Sequence, residues 1–271
     1  MPELPEVETT RRGILPYVQG FEVTDLKVRN RSLRQPVPIT LKRSMNGRKV
    51  IAVKRRAKYL LFEFEHGHAL IHLGMSGSLC LVDPELPPRK HDHVDLHMSS
   101  GKVLRYHDPR RFGLWLWTSE AIDEHPLIRH LGPEPLSHDF HGELLFQKSR
   151  KRKVAVKNFL MDGKTVVGIG NIYAAEALFE AGIRPTRQAG RVTRVQYQHL
   201  ADASKRILAA SIAQGGTTLK DFVGGDGEPG YFAQDLAVYG REGQPCGVCG
   251  STIKGKIIGQ RASCFCPQCQ V

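Results

Sequence analysis

The sequence is short of several things, and each shortage excludes a class of protein. No stretch approaches the ~18 consecutive apolar residues of a membrane-spanning helix, so none is expected. The first residues lack a basic segment followed by an apolar core, so no secretory leader is expected either. No segment repeats itself, which sets aside solenoids and propellers. Cysteine is nearly absent before position 246: Cys80 stands alone there, and five of the six lie in the last 26 residues. A disulfide framework would be spread along the chain, so this cluster reads as a metal site in a reducing compartment. Acidic side chains are also in deficit, with 27 Asp and Glu against 39 Lys and Arg, a net charge of +12. Such an excess points to a polyanionic partner, nucleic acid ahead of an acidic membrane surface.

What is present fits a soluble chain of 271 residues, 41% hydrophobic, with one large core or two moderate ones. Leu4, Val7, Ile14, Leu15 and Val18 fall near helical spacing and predict an amphipathic helix over residues 5–18. Short strands follow at 21–28, 49–54, 59–64, 69–73, 78–82, 94–98, 103–107 and 114–117, separated by turn residues such as Asn46-Gly47 and Ser100-Gly101. Many short strands at close spacing predict an antiparallel sandwich or barrel. Past Gly132-Pro133-Glu134-Pro135 the pattern turns helical, at 140–148, 154–161, 172–181 and 193–214. The glycine-rich run 224–230 reads as a mobile loop. The expected organisation is therefore α+β, with a β-rich domain over 1–132, a helical domain over 133–237 and a terminal metal element over 238–271.

The metal element is the strongest local signal. Cys246-Gly-Val-Cys249 and Cys266-Pro-Gln-Cys269 form two C-x2-C knuckles with sixteen residues between them. Four thiolates suit one tetrahedral, closed, structural Zn²⁺. The intervening 252–258 and 260–265 can pair as a hairpin turning near Gly259, holding Arg261 against something anionic. Cys264 offers an alternative ligand through Cys264-x-Cys266, but it and Cys80 read better as small buried hydrophobes.

The first nine residues carry a different chemistry. Removal of Met1 would leave the ring nitrogen of Pro2 as a free secondary amine, able to attack an aldehyde-like carbon and form an iminium. Glu3 beside it can donate or take a proton. Pro5 suits a first helical turn, and Glu6 and Glu8 complement its dipole. The plain alternative is a capped, solvent-facing helix.

Other elements are ambiguous singly. The basic runs at 54–58, 110–111 and 148–153 are either phosphate contacts or ordinary solvated faces. Gly168-Ile-Gly170-Asn171 is either a phosphate-approaching turn or a plain one. Met75 and Phe112, each at a strand-end turn, are either core residues or wedges for a base stack. His91, His93 and His97 share a strand without a carboxylate or cysteine set, which argues against a metal there.

Together these residues resemble the bacterial formamidopyrimidine-DNA glycosylase family, enzymes that remove oxidised guanine from DNA. The resemblance covers nearly the whole chain. It runs through Pro2-Glu3-Leu4-Pro5-Glu6-Val7-Glu8, Arg55-Arg56-Ala57-Lys58-Tyr59-Leu60, His72-Leu73-Gly74-Met75-Ser76-Gly77 and Asp108-Pro109-Arg110-Arg111-Phe112-Gly113. It continues through Gly168-Ile169-Gly170-Asn171-Ile172-Tyr173, Gly215-Gly216-Thr217-Thr218-Leu219 and the four-cysteine finger with Arg261.

The resemblance implies a β-sandwich capped by the N-terminal helix, then a helix–two-turn–helix unit and a zinc-finger hairpin, with DNA in the cleft between. Pro2 corresponds to the nucleophile on C1′ and Glu3 to the carboxyl assisting base departure and ring opening. Lys58 corresponds to the proton donor of β-elimination and Arg261 to the arginine serving δ-elimination. Met75, Arg110 and Phe112 match the trio filling the hole left by a flipped nucleotide. Lys58, His72, His91, Arg152, Lys157, Asn171, Tyr239 and Arg261 match positions touching DNA, and 217–231 the loop closing over the extruded base. Cys264 departs from the pattern, standing where a bulky residue is expected.

The implied protein is a monomer in the bacterial cytoplasm, acting on damaged duplex DNA. Rival readings are a sister enzyme preferring oxidised pyrimidines and a non-catalytic zinc-ribbon DNA-binding protein.

Overall fold

Alternating apolar and polar residues after the first helix fold as strands too short to bury a core singly, so they pair into two sheets. The structure is a computed structural model and describes residues 2–215 and 236–271; the loop expected over 217–231 lies outside the described residues. The described residues up to Arg129, with residues 212–215 at the end of the last helix, form one compact unit, and those of His130–Ser211 with the segment from 236 onward form another.

In the first unit, α1 (Leu4–Val18) precedes β1 (Val23–Val28), a short α2 (Leu41–Met45) and β2 (Ala52–Arg56). Next come β3 (Tyr59–Phe64), β4 (Gly67–His72), β5 (Ser78–Val82), β6 (Asp92–Met98), β7 (Val103–His107) and β8 (Leu114–Thr118). They make two four-stranded antiparallel sheets, ordered β1-β6-β7-β5 and β2-β3-β4-β8. Leu26, Leu79, Leu96 and Tyr106 from one sheet and Leu60, Phe62, Ile71 and Trp115 from the other share a single core. The sandwich is thus as expected. The unexpected α2 is five residues long, with only Leu41 and Met45 buried, too short for periodicity to reveal.

Val7, Ile14 and Val18 of α1 fall on one helical stripe and are fully buried in that core. The helix starts with a capping box. The Glu6 carboxylate accepts the Glu3 backbone N–H at 2.8 Å, and the Glu3 side chain accepts the Glu6 backbone N–H. Farther along, the Glu8 carboxylate gathers Arg11 at 2.8 Å, Arg12 at 2.9 Å and Arg55 of β2 at 3.2 Å. Arg11 also donates to the Val53 carbonyl at 3.1 Å.

In the second unit, α3 (Gly142–Ser149), α4 (Val156–Met161), α5 (Asn171–Glu180) and α6 (Arg194–Gly215) surround Leu145, Leu160, Leu178, Tyr197 and Leu208. Two turns between α4 and α5, with Thr165 N–H on the Asp162 carbonyl at 2.8 Å, complete a helix–two-turn–helix. A terminal hairpin follows, β9 (Lys254–Ile258) and β10 (Arg261–Phe265). No described helix is long and apolar enough to cross a membrane.

The Glu8 cluster has a pH signature. Burial alone would raise its pKa, but hydrogen bonds from Arg11 and Arg12 and the charges of Arg11 and Arg55 overcome this and hold it at about 2. A carboxylate depressed from 4.5 to about 2 contributes stability that is fully present above pH 4.5 and is lost as pH falls through about 2. Because Arg12 faces solvent, we expect only about 1–2 kcal/mol from it. Denaturant unfolding of Glu8→Gln should lack that segment of the wild-type pH profile; superimposable profiles below pH 4.5 would remove Glu8 from the account.

Candidate active site and metal centre

The first unit carries Pro2 and Glu3 at the start of α1 and its other candidate residues on the β2–β3 turn and on the loops after β4 and β7. Pro2 is half-buried and Glu3 fully buried. Helix α1 runs antiparallel to β2: Arg11 meets Val53 and Glu8 meets Arg55, so stepping back toward Glu3 steps forward toward the β2–β3 turn. That turn is two residues, Ala57 and Lys58, between paired Arg56 and Tyr59. Ala57 sits at φ 54°, where hairpins ordinarily place glycine, and Arg55 clamps its carbonyl at 2.9 Å. The turn is therefore fixed despite its strain, and Lys58 is presented at its tip.

His72 closes β4 with its ring 4.9 Å from that of Tyr59. Burial, and then the charges of Lys58 and Arg34, push its pKa down to about 4. Its Nδ1 accepts the Gly74 backbone N–H at 2.9 Å. The ring is thus neutral at pH 7 with its proton on Nε2, a donor of the kind a phosphate oxygen accepts.

Met75 and the pair Arg110 and Phe112 lie on two neighbouring loops, after β4 and after β7. A Cβ added to Gly74 would come within 2.5 Å of the Phe112 backbone, so the loops pack main chain to main chain. Phe112 is 46% exposed and therefore not a core residue. The Arg110 guanidinium lies 4.7 Å over its ring. Met75 is half-buried. The histidines of β6 gather no metal set: among the described residues only the four finger cysteines do. His93 instead meets the Asp108 carbonyl at 2.8 Å, and His107 meets Asp92 at 2.7 Å. His91 stands beside both rings.

The second unit builds its site on the hairpin. Gly259 and Gln260, at φ 56° and 62°, form the tight turn, and Arg261 follows, exposed. Helices α4 and α5 hold that tip. The Ala262 carbonyl accepts Asn171 Nδ2 at 3.0 Å and faces Lys157 Nζ at 3.5 Å; Lys157 also donates to Ser263 Oγ at 2.6 Å. A Cβ at Gly259 would collide with Asn158. Lys157, matched by the resemblance to a position touching DNA, has a fully buried side chain with its ammonium on the hairpin. Arg152 is exposed beyond α3, next to Lys151 at φ 62°. Tyr239 is half-buried at the entry to the finger.

Cys246, Cys249, Cys266 and Cys269 place their sulfurs within 4.8 Å of one another, with Cys246–Cys269 at 3.9 Å and Cys249–Cys266 at 3.4 Å. Four sulfurs about 2.3 Å from a tetrahedral zinc stand roughly 3.8 Å apart, so the set fits that ion. The thiols compete for protons: Cys249 is lowered to about 6, chiefly by Ser251, while Cys269 is pushed up to about 12, chiefly by Cys249. A shared dication removes that conflict. Cys264 is buried in the finger's small core with Val238 and Ile253.

Three family models match in succession. They are the formamidopyrimidine-DNA glycosylase N-terminal domain over residues 1–115, its H2TH domain over 131–223, and the zinc finger found in FPG and IleRS over 243–271. The formamidopyrimidine-DNA glycosylases of Pseudomonas putida (strain GB-1) and Pseudomonas aeruginosa (strain LESB58) are each 57% identical over 270 residues, covering 100% of both chains. The chain belongs to the formamidopyrimidine-DNA glycosylase family. Solved structures agree with this assignment. The MutM (Fpg) protein of Thermus thermophilus aligns at TM-score 0.85 and 38% identity, over 99% of this chain and 98% of that one. The Lactococcus lactis Fpg in complex with a FAPY-dG containing DNA aligns at TM-score 0.88 and 32% identity, over 99% of each.

Two buried acids with no role assigned from the sequence organise this formamidopyrimidine-DNA glycosylase fold. Buried Asp108 receives bonds from the Met75 loop and from the loop carrying Arg110 and Phe112. Buried Glu176 of α5 accepts the backbone N–H groups of Ala237, Val238 and Tyr239 at 2.8, 3.0 and 2.8 Å, anchoring the entry to the finger. Glu176 lies in no spacing pattern, and Asp108 opens the Asp108–Gly113 stretch without any local sign that it is buried.

The zinc fit leads to a direct test. Elemental analysis should find one zinc per chain, with sulfur ligands near ~2.3 Å by X-ray absorption. Chelation should collapse amide protection in β9 and β10 while the emission of Trp115 and Trp117, both in the first unit, stays unchanged. Metal-free active protein would overturn the assignment.

Proposed function

We propose that this chain is a bifunctional DNA glycosylase and AP lyase of base excision repair. It removes oxidised purines, 8-oxoguanine and formamidopyrimidines, from duplex DNA and cuts the strand by β,δ-elimination. The observation that carries this reading is the start of α1, where a carboxyl buried in a capping box directly follows a proline.

In the mature protein, beginning at Pro2, the ring nitrogen attacks C1′ of the damaged nucleotide. The N–C1′ bond forms as the glycosidic bond breaks and the base leaves with its electron pair, taking a proton. Glu3 supplies proton transfer for base departure and for opening of the sugar ring at O4′. The resulting iminium acidifies C2′; loss of a C2′ proton expels the 3′ phosphate, with Lys58 as proton donor. A second elimination, served by Arg261, expels the 5′ phosphate. Hydrolysis of the iminium then returns the free amine, leaving a one-nucleotide gap with phosphates at both ends.

Extruding a base costs a few kcal/mol. Met75, Arg110 and Phe112 fill the space it leaves and offset that cost. His72, His91, Arg152, Asn171 and Tyr239 contact the DNA strands, and Lys157 acts through the hairpin that presents Arg261. Zinc, when bound, supplies structure to the finger and no chemistry. The enzyme works as a monomer in the bacterial cytoplasm. The exposed Phe112 beside Arg110 supports a purine enzyme over its oxidised-pyrimidine sister.

Parallel cutting of 8-oxoguanine and thymine-glycol duplexes should favour the former. Glu3→Gln should slow excision of the intact base by roughly 10²-fold or more, the usual worth of a general acid, while still forming a trappable adduct on a preformed abasic site. Wild-type excision by Glu3→Gln would refute the role of Glu3, and preference for thymine glycol would reassign the substrate class.

A further inference from the structure

Resting on the wedge reading above, we propose that Asp108 is a positioning residue for base extrusion. Its buried carboxylate ties the Met75 loop and the loop carrying Arg110 and Phe112 into one rigid body. Asp108 is fully buried. One carboxylate oxygen accepts the Ser76 hydroxyl at 3.1 Å. The other accepts the Gly113 backbone N–H and the Tyr106 hydroxyl, both at 2.9 Å. Ser76 directly follows Met75, and Gly113 directly follows Phe112. A single side chain therefore reaches the residue next to each apolar wedge.

The Asp108 main chain extends the same tie. Its carbonyl accepts the Arg111 N–H at 3.2 Å, closing the turn that presents Arg110, and also meets His93 Nε2 at 2.8 Å. Its N–H donates to the His91 carbonyl at 3.0 Å. Arg111 is held at φ 58°, a conformation an L-residue keeps only where its surroundings dictate it. The packing leaves no slack: a Cβ on Gly113 would lie 1.7 Å from the Tyr106 hydroxyl.

A wedge offsets unstacking only if it does not yield itself. Side chains on short loops yield unless the loops are fixed to something buried. Deleting the carboxylate would leave the buried Tyr106 hydroxyl and Gly113 N–H, and the half-buried Ser76 hydroxyl, without this acceptor, and the loops would part to rehydrate them. Asp108 itself touches no substrate.

The test compares DNA that must be unstacked with DNA that need not be. Asp108→Ala, Asp108→Asn and Ser76→Ala are measured for excision from a paired 8-oxoguanine duplex carrying 2-aminopurine beside the lesion, and for borohydride trapping on single-stranded abasic DNA. A small misplacement of a positioned group can cost on the order of 10²-fold, so Asp108→Ala should lose roughly tenfold to a hundredfold in duplex excision and in the 2-aminopurine rise. Trapping on the abasic strand should change little. Asp108→Asn keeps an oxygen for Gly113 and Tyr106 while the Ser76 hydroxyl can turn to accept its amide, so it should recover part of the loss. Ser76→Ala removes a single tie and should show the same split more weakly; wild-type behaviour of Ser76→Ala overturns the proposal whether or not Asp108→Ala folds. Equal losses on both DNAs also overturn it. Phe112→Ala and wild type separate the failures. If wild type traps no damaged strand, the proposed function falls; if Phe112→Ala shows no duplex-specific loss, the wedge reading falls. If both controls behave and the Asp108 and Ser76 variants do not, the present inference alone falls.

Discussion

The first unit depends on keeping a chain terminus still. Termini are ordinarily the least ordered part of a domain, because nothing ties them down. Here the Glu3–Glu6 capping box closes the first turn of α1. One turn farther on, Glu8 binds Arg11 and Arg12 on its own helix and Arg55 on β2. Arg55 in turn holds the Ala57 carbonyl, so one ionic cluster fixes both the helix and the turn that carries Lys58. A buried carboxylate with three guanidinium partners is costly to desolvate but rigid once formed, and rigidity is what an N-terminal nucleophile needs.

The second unit solves the same problem at the other end of the chain. A two-stranded hairpin is marginal by itself. Zinc closes its base through four thiolates, and Lys157, Asn158 and Asn171 brace its tip. Glu176 fixes the segment leading into it. Arg261 is thereby presented from a braced turn and not from a loose loop. Both units set exposed candidate side chains beside buried, hydrogen-bonded ones: Phe112 near Asp108, and Arg261 near Lys157.

Much of this was legible in the sequence because it is periodic or locally spaced. The strands at 59–64, 78–82 and 103–107 coincide with β3, β5 and β7, and the Cys-x2-Cys knuckles converge as their spacing demands. The helix α2 was illegible because five residues carry no period. The exposure of Phe112 was illegible because composition cannot tell a core phenylalanine from a presented one. Where Lys157 lies was not legible locally, because a lysine's destination is set by what folds against it, here Ser263 and Ala262 more than a hundred residues away. Asp108 and Glu176 were missed for the same reason. Glu176 accepts backbone N–H groups 61 to 63 residues away, and Asp108 reaches Ser76, 32 residues away, besides its neighbours Tyr106 and Gly113.

In the proposed reaction the nitrogen of Pro2, just ahead of the capped start of α1, carries the covalent link to the damaged strand. Borohydride reduction of the enzyme on 8-oxoguanine duplex, followed by peptide mapping of the adduct, tests it most directly. One adduct per damaged strand is expected, with the sugar remnant on Pro2 and Lys58 unmodified. A remnant on Lys58 or any other lysine, with Pro2 intact, would contradict it.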